Sequence, residues 1–313
     1  MNSMVEVKNI TKRFNDKLVL DNISFNVHEG DIFGFIGPNG AGKSTLINIM
    51  AGILRPSSGD IKLGGHSILR EPIEAKKLIG LVPQELALMD NFSAYDNLKY
   101  FGAFYGMSGN LLKERINEVL HITGLTERKN DKVKKFSGGM KRRLNLAASI
   151  MHKPKILIMD EPTVGVDPQS RNCIFEYIRK VNKEEKTTII YTSHYMEEVE
   201  ILCRNIFILD LGKEIASGSK AEIKSLTNIY GTISLRIQDV DNEILLALRE
   251  IEGVKGYSIE GDLINLFIDE YKFKIENLLK VISRENKNII NFEKKEASLE
   301  EVFLALTGKK LRD

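Results

Sequence analysis

The chain is 313 residues long, and because single hydrophobic cores rarely grow beyond about 250 to 300 residues, this length predicts two domains. Its 45 basic and 43 acidic residues leave a formal charge of +2, which argues against the strongly basic surface typical of nucleic-acid-binding proteins. The sequence has no basic-then-apolar leader and no apolar run of about 18 residues, so we expect no signal peptide, no transmembrane helix and a location in the cytosol.

The opening segment, residues 5–27, alternates apolar and polar side chains over several short stretches. This period of two predicts short antiparallel strands. Phe14 lies between two of the stretches. Its ring either stacks on a nucleotide base or belongs to the edge of the sheet core, and the residue alone favours neither interpretation.

A glycine-rich loop follows the strand-like run 31–36 and precedes a helical pattern. The loop reads Gly37, Pro38, Asn39, Gly40, Ala41, Gly42, Lys43 and Ser44. The spacing Gly-x4-Gly-Lys-Ser predicts a phosphate-binding loop, because its glycines let backbone N–H groups curl around phosphate oxygens. Lys43 would supply a cation and Ser44 a magnesium ligand, while the N-terminus of the following helix would face the phosphates.

Between this helix and the middle of the chain the pattern returns to short strands. We predict a turn at 56–60, a strand at 61–63 and another strand at 79–82. The last strand leads into Gln84, whose side chain either reaches a metal or the attacking water, or only caps the loop. Residues 92–150 then have apolar residues at helical spacing and predict a helical insert.

The insert ends in a short motif, Ser137, Gly138 and Gly139, which opens another helix. A serine and two glycines at a helix N-terminus predict a second anion-binding site, although an ordinary helix cap would have the same sequence. The basic run 141–143 that follows is interpreted as a solvated face of this helix.

Two later strands end in candidate catalytic residues. The apolar run 156–160 carries Asp160 and Glu161 at its carboxyl end, where an α/β sheet presents magnesium-binding and catalytic carboxylates. The strand 187–193 ends at His194. A lone histidine is usually structural, but this strand would lie near the others in a parallel sheet.

Taken together, the motifs resemble those of the ATP-binding cassette family, the ATPase subunits of ABC transporters. The resemblance covers about residues 5–219 and rests on Phe14, the phosphate loop Gly37 to Thr45, Gln84, the signature 136–140, Asp160 with Glu161, the loop 164–167 and His194. It implies an α/β fold of the P-loop ATPase class. Such a fold has a mostly parallel sheet as its core, an antiparallel β subdomain and a helical insert.

The resemblance also implies how the chain binds ATP. Phe14 would stack on the adenine, and Lys43 would bind the β- and γ-phosphates. The ATP-binding loop would consist of Gly37, Pro38, Asn39, Gly40, Ala41, Gly42, Lys43, Ser44 and Thr45.

By the same resemblance, three side chains would surround magnesium, namely Ser44, Gln84 and Asp160. Glu161 would polarise the attacking water as the main catalytic residue. Gln84 and His194 would also act in catalysis, His194 by contacting the γ-phosphate.

The signature residues Ser137, Gly138 and Gly139 would bind the γ-phosphate held by a second ATPase subunit. Two departures from the family pattern weaken polar contacts across such an interface. Met140 stands where a glutamine is common, and Val164 stands where a serine is often found.

Beyond residue 220 the pattern restarts as a second, α+β domain. We predict a strand at 233–237, a helix at 244–251, a hairpin at 257–268 turning at Glu260-Gly261-Asp262, a helix at 275–282, a strand at 289–292 and a closing helix at 299–306. This order predicts a small ferredoxin-like sheet, which is either an accessory domain for dimerisation or regulation or has only a packing role. The signature and the ending 298–308 resemble those of the drug-export branch of the family.

These observations predict an ATP-hydrolysing subunit of an exporter, with an ATPase domain at 1–220 and an accessory domain at 221–313. ATP and Mg²⁺ would be its cofactors. We expect it to pair as a homodimer or a paralogous heterodimer, to bind separately encoded transmembrane permease subunits at the inner face of the membrane, and to bind no nucleic acid. The alternative is a soluble or regulatory ABC ATPase without a direct role in transport. The substrate is not predictable, since the membrane partner mainly chooses it.

Overall fold

The computed structural model covers the chain with short gaps. The described residues are 3–193, 195–227, 231–238, 240–261, 263–269, 272–295 and 298–308. The chain divides into two compact units, of which the first ends at Lys220 and the second runs from Ala221 to Gly308. Within the described ranges, every helix is too short or too polar to span a lipid bilayer.

One sheet of the first unit is antiparallel. Its strands, in the order β2-β1-β4-β5, are β1 (Ser3–Phe14), β2 (Lys17–His28), β4 (Ser58–Leu63) and β5 (His66–Ser67). The first two strands are longer than the short strands that we predicted. Asn9 and Asn22 have φ angles of 52° and 53°, and the pairing shifts register around them. At these β-bulges the alternation of apolar and polar side chains is interrupted, but the two strands stay paired on either side. The turn predicted at 56–60 is correspondingly shorter, because β4 already begins at Ser58.

The second sheet of the first unit is mostly parallel, as predicted. Its six strands, in the order β10-β9-β3-β8-β7-β6, are β3 (Ile32–Ile36), β6 (Ile79–Val82), β7 (Ile156–Asp160), β8 (Thr188–Thr192), β9 (Asn205–Asp210) and β10 (Lys213–Ser219). Only β10 is antiparallel to its neighbour among these described strands. Every residue of β3, β7 and β8 is buried, which explains their continuous apolar runs.

Aromatic side chains join the two sheets of the first unit. Phe25 of β2 stacks on Phe33 of β3 with ring centroids 5.4 Å apart. Phe35 of β3 stacks in turn on Phe207 of β9 at 5.1 Å. All four rings belong to one buried cluster, so the antiparallel sheet covers one face of the parallel sheet.

Helices cover much of the remaining surface of the first unit. They are α1 (Lys43–Met50), α2 (Pro72–Lys77), α3 (Ala94–Phe104), α4 (Gly109–Ile122), α5 (Gly138–Ser149), α6 (Pro168–Glu185) and α7 (Met196–Leu202). The next helix, α8 (Lys220–Ser225), begins at the boundary between the two units. The predicted helical insert consists of α3, α4 and α5. Arg115 of α4 is buried and donates from Nε to the carbonyl oxygen of Met151 at 2.9 Å, which ties α4 to the segment after α5.

The second unit is a four-stranded antiparallel sheet with two helices packed against it. Its elements are β11 (Gly231–Ile237), α9 (Asn242–Arg249), β12 (Val254–Glu260), β13 (Leu263–Ile268), α10 (Ile275–Arg284), β14 (Ile289–Lys295) and α11 (Leu299–Thr307), and the strand order is β12-β13-β11-β14. The predicted strand at 289–292 extends to Lys295. Asp262 of the predicted turn lies outside the described residues. Inward side chains of the sheet meet Leu248 of α9 and Leu278 of α10 in an apolar core.

Candidate functional site

The carboxyl ends of the five parallel strands β9, β3, β8, β7 and β6 meet at one edge of the sheet, and a cleft of about 730 Å³ opens there. In open α/β sheets, ligands bind at this edge. The described residues that line the cleft are Lys17, Leu18, Val19, Asn39, Gly40, Gly42, Lys43, Ser44, Thr45, Gln84, Glu161 and Leu211. The fold therefore brings most of the predicted phosphate loop together with the predicted catalytic residues Gln84 and Glu161.

Glycine is required at two points of the phosphate loop. A Cβ atom at Gly37 would lie 2.2 Å from the carbonyl oxygen of Leu209. Gly42 has a φ of 110°, and its Cβ would lie 2.8 Å from a methyl group of Leu20. Larger residues would displace the loop from β9 and β2, so packing by itself requires glycine at these two positions.

Lys43 is folded back onto its own loop. Its Nζ donates to the carbonyl oxygens of Gly37 at 2.6 Å and of Pro38 at 3.0 Å, and the side chain is buried. Burial lowers the pKa of the Lys43 ammonium, while the carboxylates of Glu161 and Asp160 act in the opposite direction. Nζ of Lys43 is hydrogen-bonded to neutral carbonyl oxygens, so this buried cation is electrostatically suited to an anionic ligand.

The two carboxylates at the end of β7 differ in their placement. Both side chains are buried. Glu161 lines the cleft and accepts a hydrogen bond from Nε2 of Gln84 at 2.9 Å, whereas Asp160 is not among the described residues that line it. The backbone N–H of Glu161 donates to Oγ1 of Thr192 at 2.9 Å. Gln84 and Glu161 therefore form a connected pair across the ends of β6 and β7.

The signature motif lies at the start of α5. Ser137 and Gly138 are exposed, and Oγ of Ser137 accepts a hydrogen bond from the backbone N–H of Met140 at 3.2 Å. A Cβ at Gly139 would lie 2.4 Å from a carboxylate oxygen of Asp167, at the N-terminus of α6. The motif thus packs beside the loop 164–167. Within the described part of the chain, it does not contribute to the lining of the cleft.

Several predicted ATP-binding residues lie outside the lining of the cleft. Phe14 is 44% exposed at the end of β1, and Nζ of Lys12 lies 4.8 Å from its ring centroid. Gly37, Pro38 and Ala41 belong to the loop but do not line the cleft in the described part of the protein. His194 falls outside the described residues, so its predicted role stays a prediction.

The basic run after the signature is not the solvated helix face that we predicted. Arg142 is buried, and its Nη1 donates to the carbonyl oxygens of Pro83 at 3.0 Å and Gln84 at 2.9 Å. Burial lowers the pKa of the Arg142 guanidinium, and the carboxylates of Asp160 and Glu161 oppose that effect. Lys141 pairs with Asp90 at 2.8 Å. The start of α5 is therefore bonded to the loop that holds Gln84.

The sequence analysis missed other residues of the site. Lys17, Leu18, Val19 and Leu211 line the cleft from the antiparallel sheet and from the turn after β9. They carry no motif, because their role depends only on where their strands end. Thr192 bonds the Asp160 carboxylate and the backbone N–H of Glu161, and its only sequence signal is its position at the end of a strand, directly before the Ser-His pair.

Comparisons with known proteins agree with the geometry. The family described as ABC transporter matches residues 20–164. The linearmycin resistance ATP-binding protein LnrL of Bacillus subtilis is 44% identical over 312 residues, which cover 99% of this chain and all of that protein. The chain belongs to the ABC transporter family. It is an ATP-binding subunit of the exporter type, as its motifs imply.

Another relative matches the whole chain, whereas the solved structures match about 70% of it. A Nod factor export ATP-binding protein I of Cupriavidus metallidurans is 34% identical over the full length of both chains. Among solved structures, cbiO1 from Clostridium perfringens, part of the ABC transporter complex cbiONQ, is 28% identical with a TM-score of 0.66 and covers 72% of this chain and 92% of its own. The cassette MJ0796, dimeric with ADP and Pi bound, is 27% identical with a TM-score of 0.63 and covers 69% of this chain and 98% of its own.

Proposed function

We propose that this subunit hydrolyses ATP at the cleft and that hydrolysis drives export by a membrane partner. The observation that carries the proposal is that Lys43, Gln84 and Glu161 meet in one cleft beside the phosphate loop. Lys43 and the loop N–H groups would bind the phosphates, and Glu161 would orient and deprotonate the attacking water. Gln84 is hydrogen-bonded to Glu161, so it would hold the base in place.

The donor atoms at the cleft also fit magnesium. Ser44 and Gln84 line the cleft, and Asp160 lies at the end of the strand next to the one that leads to Gln84. A hydroxyl, an amide oxygen and a carboxylate are the hard oxygen ligands that Mg²⁺ prefers. When bound, the metal would neutralise phosphate charge in the transition state. Phe14 would contribute adenine stacking and His194 a contact to the γ-phosphate.

The working unit would be a pair of ATPase subunits with ATP between them. Ser137 and Gly138 are exposed at a helix N-terminus, and the described cleft is lined without them. Exposed N–H groups at such a terminus favour the additional charge of a triphosphate. The signature of one subunit would therefore close over the γ-phosphate held by the other, in a homodimer or a paralogous heterodimer.

A separately encoded permease would bind the helical insert at the inner face of the membrane. Tyr100 and Phe104, one turn apart on α3, are 57% and 81% exposed, and Phe92 just before this helix is 53% exposed. Large exposed aromatic side chains in such a group are typical of interaction sites. This surface would transmit movements of the ATPase pair to the membrane subunits.

We infer that the boundary between ATPase and accessory domains lies at residue 220. The second unit has the element order βαββαβ followed by a helix, and its strand order places β11 between β13 and β14. This arrangement supports a ferredoxin-like domain. The described residues of this unit contain no buried charged group, so a packing or dimerising role is better supported than catalysis.

Glu161→Gln tests the proposed chemistry. The variant keeps the shape of the side chain and removes the base, so hydrolysis should fall by about 100-fold or more while ATP still binds. The trapped ATP state should accumulate as a dimer. Light scattering after size exclusion would show a larger mass with ATP and magnesium than with ADP.

Glu184→Gln on the exposed side of α6 is the matched control, because it makes the same change of charge away from the cleft. It should turn over ATP like the wild type. Wild-type rates in Glu161→Gln would refute the proposed base. A monomeric Glu161→Gln protein at saturating ATP would contradict the proposed sandwich.

A further inference from the structure

A single buried hydroxyl connects the two carboxylate residues at the end of β7. Thr192 is the last residue of β8, is fully buried and lies opposite Asp160 in the parallel pairing of β7 with β8. It does not line the cleft in the described part of the chain. Its position is therefore behind the site, where it touches the groups that act rather than the ligand.

The hydroxyl of Thr192 acts both as a hydrogen-bond acceptor and as a hydrogen-bond donor. Oγ1 of Thr192 accepts from the backbone N–H of Glu161 at 2.9 Å. It also lies 2.9 Å from Oδ1 of Asp160 and 3.3 Å from the carbonyl oxygen of Met159. A hydroxyl can donate only one proton. The Asp160 carboxylate is both closer and more strongly charged than the Met159 carbonyl, so it receives this proton. Thr192 thus donates to one carboxylate residue and accepts from the next.

Glu161 needs such support because its backbone is unusual. Its φ angle is 51°, in the left-handed region that residues with a Cβ adopt rarely. This conformation follows directly after the extended residue Asp160 and turns the Glu161 side chain into the cleft beside Gln84. Backbone conformations of this kind persist only where surrounding contacts determine them.

We propose that Thr192 is a positioning residue for ATP hydrolysis. Its hydroxyl holds the left-handed turn at Glu161, so that the base points at the water site, and it fixes the rotation of the Asp160 carboxylate. The inference rests on the proposed function, since it assigns a support to the proposed base and the proposed magnesium ligand. Thr192 itself does not line the cleft in the described part of the chain, so binding of the nucleotide should not depend on its hydroxyl.

The same strand contains a matched control. Thr188 lies at the opposite end of β8, is also fully buried, and its Oγ1 accepts from the backbone N–H of Gly30 at 3.0 Å. It pairs with Ile156 at the start of β7, away from the carboxylates. Thr→Val at either position removes one buried hydroxyl and the hydrogen bond that it accepts from a backbone N–H, and only at Thr192 does it also remove a hydrogen bond to a carboxylate. The two variants should therefore differ in activity more than in stability.

The experiment compares Thr192→Val and Thr188→Val in the full chain, with ATP and magnesium as the probe. We expect kcat of Thr192→Val to fall by about 10- to 100-fold, since small misplacements of a catalytic group cost this much. Its ATP KM and its ATP affinity in a binding titration should stay close to the wild-type values. Thr188→Val should lower the melting temperature and leave kcat unchanged.

A second pair of variants isolates the hydroxyl if Thr192→Val folds poorly. Thr192→Ser and Thr192→Ala are both smaller than threonine and differ by the hydroxyl, so only Thr192→Ser should retain kcat. Equal rates for these two variants, or a kcat loss in Thr188→Val as large as in Thr192→Val, would overturn the proposal. Failure of the proposed function is a separate outcome, in which the wild type shows no hydrolysis or is unaffected by Glu161→Gln.

Discussion

The two units of the chain differ in what they bury. Every buried polar or charged side chain among the described residues lies in the first unit, between Asp31 and Asp210. The buried side chains described in the second unit are all apolar. An apolar core needs only complementary shapes, whereas each buried polar group needs a partner in a fixed direction. The proposed hydrolysis at the edge of the parallel sheet would require such preorganised polar groups.

Glu198 shows how such groups are held. Its Oε2 accepts hydrogen bonds from the hydroxyls of Thr163 at 2.8 Å, Tyr191 at 2.9 Å and Ser193 at 2.6 Å. Burial and then the nearby Glu198 carboxylate raise the pKa of the Tyr191 hydroxyl well above its ordinary value. One carboxylate thus connects the loop after Glu161 with the end of β8. In the second unit, the comparable polar contact is a half-buried pair, Ser234 donating to Asn265 at 2.7 Å.

Lys43→Ala should have the largest effect, and it removes a buried charged group of the first unit. ATP would lose the buried cation of its loop, which should cost about 2 to 5 kcal/mol of binding free energy and abolish binding at ordinary ATP concentrations. A titration with a fluorescent nucleotide measures the loss. Lys183→Ala on the exposed face of α6 is the control and should bind normally. Unchanged affinity in Lys43→Ala would remove the basis for assigning this loop to phosphate.

Leu235→Ala tests the apolar core of the second unit. Leu235 is fully buried in β11, and its truncation should lower the stability of the second unit by about 2 to 5 kcal/mol. Hydrogen–deuterium exchange should rise within residues 221–308 and stay unchanged at the phosphate loop, with ATP affinity preserved. Leu246→Ala, at a site that is 61% exposed in the same unit, should change neither. A clear loss of ATP affinity in Leu235→Ala would show that the cleft depends on the second core.

Truncation after residue 220 should have the smallest effect. The residues described as lining the cleft all precede this point, and the second unit has its own apolar core. The truncated chain should therefore fold and bind ATP with the affinity of the full chain. Calorimetric titration of both chains gives the comparison. A folded truncation that no longer binds nucleotide would contradict the proposed domain boundary.

Local sequence patterns were sufficient for much of the site and fold. The phosphate loop, the carboxylates after β7 and the order of elements in the second unit could each be predicted, since each depends on a short run of residues. The loop needs glycines at given spacings, and a strand that is buried on both faces needs a continuous apolar run. For the same reason the predicted strands were too short, because the bulges at Asn9 and Asn22 interrupt the alternation without ending the pairing.

The sequence by itself thus determined which chemistry this protein carries, through motifs whose residues act within a few positions of one another. Only the tertiary structure decided how that chemistry is supported. Arg142 is buried because two carbonyl groups nearly 60 positions earlier in the chain face it, and Thr192 bonds residues more than 30 positions before it. A side chain's burial and hydrogen-bond partners depend on which strands become neighbours. That information is contained in the packing of the whole sheet rather than in any local pattern.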